Sequence, residues 1–129
     1  MFKICKHRKY QFTPDDGENP DVPAGIQMSF SNGNTISIQW GNSNYSCNKG
    51  GETKEYASSA EIAIWNKDGV WYLFNHKEVY DEKNEDAYPE EVKGWCGTTE
   101  VAYWIYQAST MIIEPGKNGW DIRKKLELL

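Results

Sequence analysis

The sequence predicts an α+β fold: an antiparallel sheet of four to five strands, made from two hairpins, with one main helix packed on a face and a short C-terminal helix. Three observations carry this. Ile26, Met28 and Phe30 alternate with polar residues, as do Ile36, Ile38 and Trp40, the period-two signature of half-buried strands. A second apolar pair, 60–65 and 70–74, flanks the turn residues Asn66-Lys67-Asp68-Gly69. Val101, Trp104, Ile105, Ala108 and Ile112 then recur at helical spacing.

The elements follow in order. Phe2, Ile4, Tyr10 and Phe12 alternate with Lys6 and Arg8 between them, which reads as an edge strand guarded by charge. Pro14, Pro20 and Pro23 make 14–25 an extended acidic connector. In the first hairpin, register should follow the buried face. A three-residue loop at Asn32-Gly33-Asn34 then pairs Phe30 with Ile36, Met28 with Ile38 and Ile26 with Trp40, with Asn34 left-handed.

The second hairpin is apolar on both faces, as in a central strand covered on two sides or one face kept for a partner. The main helix should span 98–110, with Thr98 as its cap and Glu100 at its positive end. Gly94 and Gly97 bracket its entry, and Pro115-Gly116 stops any continuation. A tail helix over 120–129 would place Ile122, Leu126 and Leu129 on one side. We read one domain over 1–129: a strand and connector at 1–24, a core at 26–112 and a tail helix within 116–129.

Composition narrows the function. Eighteen aromatic residues (6 Trp, 8 Tyr, 4 Phe) are too many for a disordered chain. A net charge of −5 argues against general nucleic-acid binding, which needs a basic face. The charge is uneven: Lys3, Lys6, Arg8 and Lys9 stand without an acid among them, whereas 75–93 holds seven acids against three lysines. Three cysteines, no apolar run of signal-peptide length and no membrane-length stretch point to a reducing cytosol and no membrane contact.

Candidate chemistry is sparse. Cys5, His7, Cys47, His76 and Cys96 could in principle bind zinc, but no Cys-x-x-Cys pair exists and no metal is expected. Cys96 precedes a helix, which favours a thiolate, and His76 could serve as its base; no orienting third group is evident. No catalytic residue and no cofactor are expected. Asn48-Lys49-Gly50-Gly51 with Lys54 could hold an anion but lacks the P-loop pattern. Trp65, Trp71 and Trp95 could stack a base, although core packing is the commoner use of a tryptophan.

The strand 36–40 running into Gly41 and Asn44-Tyr45-Ser46-Cys47, then Ala60-Glu61-Ile62-Ala63-Ile64-Trp65, then Gly94-Trp95-Cys96, resembles small uncharacterised accessory proteins of tailed bacteriophages. The resemblance covers about 26–108. It implies a phage-encoded protein acting in the host bacterial cytoplasm, where such proteins redirect host machinery or blunt host defence.

The expected function is a non-enzymatic binding protein that inhibits or sequesters a host factor. The expected partner- or ligand-binding residues are Tyr45, Lys49, Lys54, Trp71, Asp81, Glu82, Glu85, Asp86 and Trp95. The partner is a host protein with a basic surface or, as an alternative, a nucleotide signal held by Lys49, Lys54 or Arg123 with a tryptophan on the base. A small hydrolase or a minor virion component are the other readings, and a homo-oligomer is compatible with the sequence.

Overall fold

The computed structural model describes residues 1–10 and 21–121. Phe12, the connector up to Pro20, Arg123 and all but the first two residues of the expected tail helix lie outside the described residues. The described residues form seven strands and two helices: β1 (Phe2–His7), β2 (Val22–Ser29), β3 (Thr35–Gln39), β4 (Ala60–Trp65), β5 (Val70–Tyr72), α1 (His76–Val79), β6 (Lys93–Cys96), α2 (Thr98–Thr110) and β7 (Gly119–Asp121). All pairings between strands are antiparallel, in the order β1-β2-β3-β4-β5-β7, with β6 also on β4. The sheet is therefore larger than the four to five strands expected.

Strand β4 is its centre. One edge of β4 pairs with β3 throughout; the other is shared, Trp65 opposite Trp71 of β5 and Ala60 opposite Cys96 of β6. The apolar alternation explains the layering. Ile36, Ile38, Ile62 and Ile64 face one side and are 0–4% exposed. Val101, Trp104, Ile105 and Ala108 of α2 pack onto them. Burying such side chains contributes about 1.5–3 kcal/mol each.

Three expectations about local structure change. The first hairpin pairs Met28 with Ile36 and Ile26 with Ile38, not Phe30 with Ile36. Its loop is Ser31-Asn32-Gly33, closed by Phe30 N–H to Asn34 O at 2.9 Å, and Gly33 takes the positive φ of 91°. Asn34 is instead 3% exposed, and its side chain donates to Ala108 O and Met111 O at the end of α2. A two-residue slip preserves side-chain parity, so the apolar face is the expected one even though the register is not.

The connector also yields: Val22 to Gly25 are part of β2, with a bulge opposite Cys5 where β1 pairing shifts from Ile4–Ile26 to Lys6–Pro23. Helix α2 matches 98–110, but its cap is Gly97 without a side-chain hydrogen bond, and Ile112 is 75% exposed beyond its end. Trp120 and Asp121 begin no helix; they form β7 against β5.

Candidate functional site

Strand β6 carries the most unusual backbone among the described residues. Between Lys93, opposite Ile62, and Cys96, opposite Ala60, two residues of β6 face the single Glu61 of β4. This is a β-bulge, a device that re-aims a side chain. It sends Trp95 to φ 50°, the one positive φ at a non-glycine residue among the described residues. For an L-residue that conformation costs roughly 1–2 kcal/mol.

Surrounding groups hold it there. Trp95 N–H donates to Tyr45 O at 2.7 Å, and Tyr45 N–H donates to the Glu61 carboxylate at 2.8 Å. The Tyr45 and Trp95 rings lie 5.3 Å apart. Gly94 is required beneath them, because a Cβ there would come within 2.6 Å of Tyr45 Cβ. Lys49 Nζ sits 4.5 Å from the Tyr45 ring centroid, in cation–π geometry. Trp95 nevertheless remains 58% exposed.

Tyr45, Trp95, Gly94 and the run Pro89-Glu90-Glu91-Val92-Lys93 line a hollow of about 500 Å³. The corner therefore gathers Tyr45, Lys49 and Trp95 from the predicted set. Lys54 lies 5.7 Å from the ring of Tyr56 instead. Trp71 stacks on Trp65 at 4.9 Å and pairs with Trp120, at the far end of β4. Asp81, Glu82, Glu85 and Asp86 are exposed on the same connection that supplies Glu90 and Glu91, but they do not line the hollow.

Sequence reading misses Glu61, takes Gly94 only as a bracket of the helix entry, and counts Glu90 and Glu91 only among the acids of 75–93. Glu61 left one signal: it is the lone acid between apolar residues of a strand. No family model matches the chain, and no curated relative and no solved structure matches it either.

The cysteines are spread apart. Cys96 is 1% exposed, and burial pushes its thiol up to about 11, with the Glu100 carboxylate adding to the shift. The ordinary free-thiol value is about 8.5, so at neutral pH Cys96 is a protonated core residue. It donates to Lys93 O and Gly94 O. His76 packs beside Tyr72, its ring 5.9 Å away. Cys47 is exposed, and the Ser58 hydroxyl lowers its pKa. Among the described residues no three His, Cys, Asp or Glu side chains gather as a metal site.

A second hollow of about 410 Å³ lies beside the contact of α2 with the sheet and is lined by Ile26, Ile38, Trp40, Tyr56, Val101 and Ile105, among others. Its lining is apolar, continuous with the core. No helix among the described residues is long and apolar enough to cross a membrane.

Proposed function

We propose that this chain is a non-enzymatic binding protein, and that the Tyr45–Trp95 corner is its contact surface. The observation that carries this reading is Trp95: a large aromatic held at positive φ by its own N–H bond to Tyr45 O and by the Tyr45 N–H bond to the Glu61 carboxylate, yet left mostly in solvent. Strain that the surrounding structure over-determines is concentrated at functional positions. Tryptophan and tyrosine are also the residues enriched at binding hot spots.

The partner is a protein with a basic surface. Glu90 and Glu91 rim the hollow beside Trp95, and Asp81, Glu82, Glu85 and Asp86 extend the negative field along the same connection. A net negative rim around an aromatic anchor steers a partner of the other sign. The same carboxylates weigh against a nucleotide, whose phosphates they would repel although Lys49 stands near. Taken with the phage resemblance, the proposed partner is a host factor that the chain inhibits or sequesters in bacterial cytoplasm.

Affinity capture from host lysate, with wild type beside Tyr45→Ala/Trp95→Ala, tests the reading. The expected result is a host protein retained by wild type, released by rising salt and absent with the variant. Equal capture by the two proteins overturns it. A nucleotide co-purifying in native mass spectra, and lost on Trp95→Ala, would favour the sponge reading instead.

A further inference from the structure

Strand β1 ends the sheet, and among the described residues no strand pairs with its outer edge. An open edge is a row of unpaired backbone donors and acceptors, ready for another strand. Its side chains are unusual for an edge that only faces water. Phe2 and Ile4 pair with Met28 and Ile26, so they lie on the helix-bearing face of the sheet. They are 75% and 58% exposed, because α2 packs mainly over β3 and β4.

The basic residues complete the pattern. Lys6 follows Phe2 and Ile4 on that face, and Lys3 projects from the other. Both lysines are exposed, and neither forms an ion pair among the described residues. Lysine at an edge commonly blocks pairing, yet the block depends on the incoming charge. Opposite charges across a strand pair stabilise it, whereas like charges destabilise it. A second copy pairing through β1 would gather four lysines on two adjacent strands. The edge is closed to its own kind and open to an acid.

We propose that the outer edge of β1 accepts an extended acidic segment of a partner protein as an added antiparallel strand. The incoming strand carries acids opposite Lys6 and Lys3 and apolar residues opposite Ile4 and Phe2. Its backbone supplies ladder hydrogen bonds, the usual source of affinity in strand addition. Its apolar side chains cover the ledge that α2 leaves bare. Register is then fixed by chemistry, since a one-residue slip turns every side chain to the wrong face. This surface is separate from the Tyr45–Trp95 corner and opposite to it in charge preference.

The test uses the full chain and a labelled synthetic peptide, Thr-Glu-Thr-Val-Glu-Val-Thr, which places its residues in that order along β1. The expected result is saturable binding in fluorescence anisotropy with slowed amide exchange confined to β1 and its neighbour β2. Lys3→Glu/Lys6→Glu should weaken binding about tenfold, and a peptide with lysine for both glutamates should recover affinity for that variant. Lys77→Glu, on α1, should leave binding unchanged. The proposal is overturned by no binding, by equal binding of a peptide with its glutamates moved one position, or by protection elsewhere in the chain. A solution dimer with protected β1 amides would overturn it too, by showing that the edge pairs with itself.

Discussion

Two long polar connections are built on opposite plans. Residues 41–58 turn their small polar side chains inward. Asn42, Ser46 and Thr53 are 4%, 1% and 1% exposed. Asn42 N–H donates to Thr53 Oγ1 at 2.8 Å, Thr53 N–H to Lys9 O at 2.7 Å, and the Asn48 amide to Trp40 O at 2.9 Å. Residues 75–93 turn carboxylates outward, and the ends are held together by Phe74 N–H on Glu90 O at 3.0 Å and by one asparagine side chain. Asn75 donates to Tyr88 O and accepts from Glu90 N–H.

Side-chain chemistry explains the contrast. A short amide or hydroxyl can be buried once its hydrogen bonds are satisfied, whereas a carboxylate costs far more to take out of water and stays at the surface. The first connection is thus a pinned scaffold that presents Tyr45. The second is a displayed charge field that reaches Trp95 from the other side. The corner needs both, a rigid wall and a solvated one.

The largest test breaks the pinned connection. Thr53→Val keeps the shape and removes Oγ1, leaving Asn42 N–H buried without its acceptor. The expected loss is about 2 kcal/mol in urea unfolding. A loss under about 0.5 kcal/mol would mean that this loop is no better held than the acidic one.

A smaller loss comes from acid. The His7 ring occupies the space that a side chain at Gly41 would need, so it braces the same loop. Burial lowers its pKa below the ordinary value of 6.5, against the raising effects of Gln39, Asp21 and Glu61. The folded state thus takes up a proton less readily than the unfolded chain. The stability this gives is whole above 6.5 and falls as pH drops through that value. Thermal melts from about pH 7.5 to about pH 5.5 should decline, and His7→Gln should flatten that decline. Equal slopes for the two proteins would remove His7 from the account.

Trp95 tests the strain where the two connections meet. Trp95→Gly relieves the positive φ, whereas Trp95→Ala keeps it and loses the same ring. Trp95→Gly should therefore be more stable than Trp95→Ala by about 1 kcal/mol, with both losing partner capture. The reverse order would show that the bulge relaxes when the ring leaves.

The sequence made some of this legible for clear reasons. Helix α2 is entered through Gly94 and Gly97 and followed by Pro115-Gly116, and its stripe lies within one local segment, so its 98–110 span needs no tertiary knowledge. The apolar face of β2 and β3 survives because parity tolerates an even slip. Strand β6 was hidden: four residues with a bulge, paired to a strand about 30 residues earlier, leave no alternation to read. Asn34 misled because a buried amide tying down a helix end looks, in sequence, like a turn residue. The meeting of Tyr45 with Trp95 is tertiary, and only the lone Glu61 hinted that something polar had to sit over β4.

The smallest stability effect belongs to the acidic connection, and it separates stability from function. Asp81→Asn, Glu82→Gln, Glu85→Gln and Asp86→Asn together take the net charge from −5 to −1 while keeping side-chain shape. Asp81 Oδ1 accepts from Lys83 N–H at 3.0 Å, and an asparagine oxygen can do the same. All four residues are exposed, so each change should stay within about 0.5 kcal/mol in urea unfolding. Capture of the basic partner should nevertheless weaken and lose most of its salt dependence, because the steering field is gone while the Tyr45–Trp95 anchor remains. If stability instead fell as far as with Thr53→Val, the carboxylates would be structural, and the two connections would differ in degree rather than in kind.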